Sequence, residues 1–140
     1  RTVGYKERLQ FIEHYLKEKI TEPSLVIIDG VADLCADVNN IEQSNELVSS
    51  LMRISTQQNV HIICVIHQNF GSAKLGTGHL GSALEKKAET VISLEANTVN
   101  KDWTTVKCGR SRGYSFETFS FQVNEKGLPI IVGDLYDPLK

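Results

Sequence analysis

Apolar residues recur along the first two thirds of the chain at the spacing of helix faces. From Tyr5 to Ile20 every third or fourth residue is apolar and charged residues fill most of the other side, which predicts a helix. A second helix is predicted from about Ile41 to Gln57, with Asn39 as its amino-terminal cap and Glu42 as the capping partner. The stretch from Ser82 to Glu89 predicts a short third helix.

Short apolar runs separate these helices. Leu25 to Ile28 and Val60 to Ile66 show no alternation, which is typical of strands that are buried on both faces of a parallel sheet. Thr90 to Leu94 follows the third helix and is predicted as the third strand of the series. Helices and strands in strict alternation predict an α/β domain with parallel strands.

The last third of the chain changes character. Trp103 to Cys108, Phe116 to Val123 and Leu128 to Val132 are predicted strands, and residues 124–127 form a turn between the last two. Three apolar residues of the middle strand are expected to face one way: Phe119, Phe121 and Val123. We therefore expect an antiparallel meander after the parallel strands. No linker is evident, so residues 1–140 are expected to form a single domain.

Composition excludes several classes of protein. The 140 residues are 41% hydrophobic and 23% charged, as in one globular domain, and no apolar run is long enough to span a membrane. Three well-separated cysteines indicate free thiols in a reducing compartment, so we expect a cytoplasmic protein. The formal net charge of −2 gives no support for binding nucleic acid by charge alone. The chain starts with Arg rather than Met, which we interpret as a fragment.

Polar residues follow the first two predicted strands. Asp29 stands at the carboxyl end of the first strand, where ligands bind in open α/β sheets and where a carboxylate can hold a water of nucleotide-bound Mg²⁺. His67 and Gln68 follow the second strand, where a polar side chain can sense a terminal phosphate. The alternatives are an aspartate that shapes a turn and a histidine with a structural role.

The glycine-rich stretch from Phe70 to Gly81 is predicted to be a long loop. Gly76 completes a G-x-x-x-x-G spacing, but Thr-Gly follows instead of Lys and then Ser or Thr, so this stretch is not a phosphate-binding loop. Lys74 is the only cation in it, which leaves open a contact with DNA or a lid.

Three cations, Lys107, Arg110 and Arg112, cluster between two predicted strands. Arginine that projects from a hairpin can stabilise a transferring phosphoryl group across a subunit boundary, and the alternative is a solvated basic turn. The histidines have no metal-ligand spacing, and no Gly-x-Ser-x-Gly motif is present.

Four segments in this order resemble the RecA-like ATPases, closest to the hexameric replicative helicases of the DnaB and RepA type. LVIIDG resembles the Walker B strand and ICVIHQN the sensor strand, while GHLGSALEKKAETVISLE is similar to the following loop, helix and strand. VKCGRSRGYSFETFSFQV resembles the finger hairpin. The resemblance spans roughly residues 3 to 132 and implies a three-layer RecA-like fold, here as a partial sheet.

The resemblance also implies roles for individual residues. Asp29 would hold the magnesium water, His67 would sense phosphate with Gln68 beside it, and Arg110, or else Lys107, would be the finger that reaches a neighbouring subunit. Single-stranded DNA would bind the glycine-rich loop, at three residues: Lys74, Gly76 and Gly78. Arg112, which precedes a glycine, is expected to shape the turn. The family's phosphate loop and catalytic Glu have no counterpart here, so we expect no ATP hydrolysis by this chain alone.

These expectations describe an intact protein that is an ATP-driven helicase or DNA-loading ATPase, hexameric, with ATP and Mg²⁺ as cofactors and single-stranded DNA as partner. The chain by itself is expected to hold no cofactor tightly. Without the strand that carries the phosphate loop, its sheet would expose edges, so it is expected to dimerise or exchange strands. One alternative is a non-catalytic RecA-like scaffold or regulatory module in a nucleoprotein assembly. Another is a receiver or flavodoxin-like domain with Asp29 as its acidic site, which the meander argues against.

Overall fold

A computed structural model of the chain describes residues 3–19, 24–68 and 76–133. The chain divides into two compact units, Arg1–Lys87 and Ala88–Lys140. The described part of the first unit is α/β and that of the second is an antiparallel sheet, so the expected mixture of parallel and antiparallel strands is confirmed.

The first unit contains three α-helices, a short 3-10 helix and two strands. In chain order they are α1 (Tyr5–Lys19), β1 (Leu25–Asp29), the 3-10 helix (Val31–Leu34), α2 (Ile41–Gln58), β2 (His61–Val65) and α3 (Gly78–Lys87). The periodicity located α1 and α2 closely, although Ile20 lies outside the described residues. The third helix begins four residues earlier than predicted, so the end of the glycine-rich stretch is helical and not loop.

Strands β1 and β2 pair in parallel, in a register that runs from Leu25 opposite His61 to Asp29 opposite Val65. Alternate residues of β1 point into the core, where Ile28 is buried and Val26 is packed against the same cluster. That cluster also takes in residues of α2, α3 and the 3-10 helix: Val31, Leu34, Leu47, Val48, Leu51 and Leu80. The core therefore lies on one side of the β1–β2 sheet.

The prediction that both strands are buried on both faces is wrong. Side chains on the second face of the sheet are exposed, and we call this set the bare face: Leu25, Ile27, Ile63 and Val65. The sequence lacked alternation because both faces are apolar, but in the described part of the chain helices cover only one of them.

The cap of α2 is Asn40 and not Asn39. The Asn40 side chain accepts a hydrogen bond from the backbone N–H of Gln43 (3.0 Å), while Glu42 lies in the first turn. The prediction was one residue out because two asparagines stand side by side, and only the backbone conformation decides which of them ends the turn.

The second unit is a four-stranded antiparallel meander in sequential order. Its strands are β3 (Thr90–Ala96), β4 (Trp103–Ser111), β5 (Phe119–Val123) and β6 (Pro129–Val132). The predicted meander is confirmed, but β4 runs three residues further than expected and β5 starts at Phe119 instead of Phe116. Phe119, Phe121 and Val123 line one apolar groove, as the alternation predicted.

Strand β3 corrects the predicted parallel series. Among the described residues it pairs antiparallel with β4 and opens the second sheet, instead of extending the pair β1 and β2. Its burial alternates, since Val91, Ser93 and Glu95 are half-buried while Ile92 and Leu94 between them are exposed. Such alternation is the mark of an antiparallel strand with two unlike faces.

Candidate functional site

Asp29 and His67 lie at the same end of two neighbouring parallel strands. Asp29 is the last residue of β1 and is paired with Val65, the last residue of β2, and His67 follows two residues later. We call this end of the sheet the carboxyl edge. Both side chains are exposed, and among the described residues none donates a hydrogen bond to the Asp29 carboxylate. Gly30 turns the chain directly after Asp29 with a left-handed φ of 83°.

Thr77 fixes the backbone of His67. Its amide N–H and its hydroxyl both donate to the His67 carbonyl oxygen, at 3.0 and 2.7 Å. Next to this, Gln68 and Gly76 form an isolated antiparallel bridge, and the Gly76 N–H donates to a carboxylate oxygen of Glu85 (3.1 Å). The two positions that flank residues 69–75 are thus held together.

Lys74 lies outside the described residues, so its predicted contact with DNA stays a prediction. Gly76 and Gly78 have packing reasons of their own. A Cβ on Gly76 would lie 3.0 Å from the Cα of Gly81, and a Cβ on Gly78 would lie 2.6 Å from the carbonyl oxygen of Val38. Gly78 also has a left-handed φ of 67°, which disfavours any side chain there. A role in DNA binding would come in addition to these contacts.

The three cations of the second unit differ in their surroundings. The Lys107 ammonium forms an ion pair with Glu95 of β3, with 2.6 Å between Nζ and Oε2, within its own sheet. Arg112 donates from its backbone N–H to the Glu89 carbonyl (2.9 Å) and from Nε to the Ala88 carbonyl (3.3 Å), which agrees with a role in shaping the turn. Arg110 is exposed and is paired across the sheet with Val91.

Asp29 is the acidic residue with which β1 ends at the carboxyl edge. No group of three or more His, Cys, Asp or Glu side chains that could hold a metal ion occurs within residues 3–19, 24–68 and 76–133. Asp29 has a solvent-facing carboxylate to which none of the residues that the structure describes donates a hydrogen bond. Such a carboxylate can accept from a water of nucleotide-bound Mg²⁺, since this ion keeps several waters besides its phosphate oxygens. Asp29 therefore fits a magnesium ion brought by a nucleotide, and it does not by itself form a metal site.

The Cys64 thiol, on the strand that leads to the carboxyl edge, is unreactive at neutral pH. Cys64 of β2 lies opposite Ile28 and packs against the core. Burial raises the pKa of the Cys64 thiol to about 11, because the charged thiolate is poorly solvated there. Cys64 is therefore protonated at neutral pH and supplies no nucleophile to the carboxyl edge.

Sequence reasoning identified Asp29 and His67 but missed Thr77 and Glu85. Nothing in the sequence around a Thr after a glycine, or around a Glu within an amphipathic helix, indicates a hydrogen bond to a residue nine or ten positions earlier. Their roles depend on the turn that brings Gly76 back to Gln68. These two hydrogen bonds therefore follow from the tertiary structure and not from a local sequence pattern.

No protein-family model and no curated protein sequence matches the chain. Among the described helices, none has both the length and the apolar character needed to cross a membrane.

Proposed function

We propose that the chain is the C-terminal part of a RecA-like ATPase core, of the DnaB and RepA type. The intact protein would be an ATP-dependent DNA helicase or DNA-loading ATPase in replication or mobile-element transfer, acting in the cytoplasm as a hexamer. The observation that carries the proposal is the position of Asp29 and His67 at one edge of a parallel strand pair, where α/β sheets bind nucleotides.

In this proposal each residue of the edge has one task. Asp29 holds a water of the magnesium ion, and the ion would neutralise charge on the phosphates of ATP. His67 donates a hydrogen bond to the terminal phosphate, with Gln68 beside it. Arg110, or else Lys107, reaches the nucleotide of a neighbouring subunit. Single-stranded DNA contacts the stretch that includes Lys74, Gly76 and Gly78. These residues provide no cradle of backbone amides for the phosphates, so the chain alone binds ATP weakly and does not hydrolyse it.

The bare face supports the proposal that β1 and β2 belong to a larger sheet. Parallel sheets are normally covered by helices on both faces, and a two-stranded parallel sheet has two open edges as well. Exposed apolar side chains of β1 and β2, such as Ile27 and Ile63, support the proposal, because further strands and a second helix layer of a three-layer domain would cover them. The rest of the RecA-like core would supply these layers.

The test uses the protein that joins this chain to a phosphate-binding loop. ATP turnover is measured with and without single-stranded DNA for the wild type, for Asp29→Asn and for Asp102→Asn, which changes an exposed aspartate in the β3–β4 turn. We expect DNA-stimulated turnover that Asp29→Asn abolishes and Asp102→Asn preserves. Undiminished turnover of Asp29→Asn would remove Asp29 from the mechanism.

A non-catalytic RecA-like scaffold is the second candidate. It is favoured by the ion pair between Lys107 and Glu95, which engages one candidate finger within its own sheet, and by the net charge of −2. A scaffold would show no ATPase activity in the intact protein, with or without DNA. The turnover assay therefore separates the two candidates.

A further inference from the structure

The connection between β4 and β5 carries a fully exposed aromatic ring. It comprises residues 112–118, and in it Tyr114 is fully exposed, at 101% of its reference area. None of the other described large hydrophobic residues is as exposed, and the next is Val99, at 85%, in the β3–β4 turn. A tyrosine ring offers a large apolar surface with a polar end, which is the kind of group that usually finds a partner.

The backbone around this ring is fixed on both sides. The Ser111 hydroxyl donates to the Tyr114 carbonyl oxygen (3.1 Å), and the Arg112 N–H donates to the Glu89 carbonyl oxygen (2.9 Å). On the other side, the rings of Phe116 and Phe119 pack at 6.1 Å between centroids. Hydrogen bonds thus hold the backbone at Arg112 and at Tyr114, while the Tyr114 ring itself is exposed.

The segment that carries the ring is positively charged. Residues 107–118 contain three cations (Lys107, Arg110 and Arg112) and one acidic residue (Glu117), a formal charge of +2 in a chain whose net charge is −2. Lys107 is paired with Glu95 of β3, so Arg110 and Arg112 supply the positive charge near the ring. Arg110 and Arg112 are exposed and lie within four residues of Tyr114. An exposed aromatic ring beside cations is the combination that binds single-stranded nucleic acid, because bases stack on the ring while cations attract the phosphates.

We propose that Tyr114 is a stacking platform for a nucleobase whose phosphate is drawn to the cations of residues 107–118. This deepens the proposed function and rests on it for the presence of nucleic acid and nucleotide as ligands. Two sources share the required chemistry, a base with an adjoining phosphate: a single-stranded oligonucleotide and free ATP. The stacked base needs no sequence, because every base offers a π face.

Equilibrium binding of fluorescein-labelled oligo(dT) to the full chain tests this proposal by fluorescence anisotropy at low salt. Base stacking on an aromatic side chain is worth roughly 1–3 kcal/mol, so Tyr114→Ala is expected to weaken binding about 5- to 150-fold. Tyr114→Phe keeps the ring and is expected to bind as the wild type does. Val99→Ala, which truncates an exposed apolar residue of another turn in the same unit, is the matched control and is expected to change nothing.

Tyr114→Ala that leaves the binding of both ligands unchanged, or an equal loss in Val99→Ala, overturns the proposal, and so does a wild-type chain that binds neither ligand. A second arm replaces the oligonucleotide with fluorescent ATP, and a Tyr114-dependent signal only in this arm identifies free nucleotide as the source of the base. Failure of the proposed function has a different signature. Tyr114-dependent oligonucleotide binding together with undiminished ATP turnover in Asp29→Asn would keep the stacking platform and reject the ATPase mechanism.

Discussion

Asp29 lies directly opposite Val65 in the parallel pair of β1 and β2. Two neighbouring parallel strands have their carboxyl ends at the same end of the sheet. This single register pair therefore places Asp29 and the residues after Val65 at the carboxyl edge. His67 is the second of those residues, and Thr77 holds its carbonyl oxygen with two hydrogen bonds. The edge is therefore defined by backbone pairing and not by the rotamer of either side chain.

The close approach of Gly76 and Gly81 predicts that a side chain at position 81 destabilises the fold. A Cβ on Gly81 would lie 2.2 Å from the Gly76 carbonyl carbon, and backbone cannot move aside as a flexible side chain can. Gly81→Ala is expected to lower the free energy of unfolding by about 3 kcal/mol or to prevent folding. Gly113→Ala, where the added methyl would meet nothing within 4 Å, should stay within about 0.5 kcal/mol of wild type in urea unfolding. Equal stability of the two variants would refute the close approach.

The cap of α2 gives a second prediction. Asn40→Ala removes the acceptor for the Gln43 N–H and is expected to destabilise the chain by about 1 kcal/mol. Asn45→Ala, at an exposed position within the same helix, should be neutral or slightly stabilising because alanine is the better helix former. Both are measured by chemical denaturation followed by circular dichroism. A larger loss for Asn45→Ala than for Asn40→Ala would contradict the assigned cap.

The ion pair between Glu13 and Arg53 predicts how stability depends on pH. The hydrogen bond from Arg53 (2.5 Å) is the main cause that lowers the pKa of Glu13 below its ordinary value of 4.5. A carboxyl whose folded pKa is lowered stabilises the fold above its ordinary value, and this contribution is lost as the pH falls through the lowered value. Glu13→Gln should therefore flatten the loss of melting temperature below about pH 4.5.

The matched control for this pH series is Glu46→Gln, which changes an exposed glutamate of α2 outside the ion pair. It keeps the bond between α1 and α2, so its acid profile is expected to parallel that of the wild type. Profiles that coincide for Glu13→Gln and the wild type over the acid range would show that the pair makes no pH-dependent contribution.

The bare face predicts self-association. At high concentration the full chain is expected to dimerise or exchange strands, because apolar side chains of the parallel pair are exposed and, among the described strands, β1 and β2 pair only with each other. Ile27→Lys places a charge in the middle of this face and should reduce the mass measured by light scattering without unfolding the chain. Val99→Lys, in an exposed turn, should leave the mass unchanged. A monomeric wild type at high concentration would count against the prediction.

The sequence predicted element types well where one period dominated. Tyr5–Lys19 and Ile41–Gln58 each bury one stripe of apolar residues, and the alternation of Phe119, Phe121 and Val123 gave the correct face of β5. Prediction from the sequence failed where strand pairing or the covering of a sheet determines the structure. Nothing local in LVII tells whether a second layer of helices covers the strand, and Thr90–Ala96 follows a helix just as a parallel strand would.

For the candidate site, too, local sequence features were predictable and tertiary contacts were not. Asp29 and His67 were identifiable because strand ends collect polar residues, and the parallel register then placed them at one edge. The bonds from Thr77 and Glu85 depend on how the chain returns after residue 75, which no spacing encodes. Exposure of Tyr114 likewise depends on how residues 112–118 are anchored to the sheet.

The most direct test of the magnesium–nucleotide edge is paramagnetic relaxation in a two-dimensional amide NMR spectrum of the full chain titrated with Mn²⁺–ATP. Mn²⁺ accepts the same oxygen ligands as Mg²⁺, and line broadening detects weak binding, as expected for a chain that lacks a phosphate cradle. We expect selective broadening of the amides of Asp29, Gly30 and His67 that Asp29→Asn removes and Asp102→Asn preserves. Broadening that is absent from these amides, or that persists in Asp29→Asn, would show that Asp29 does not hold the metal of a bound nucleotide.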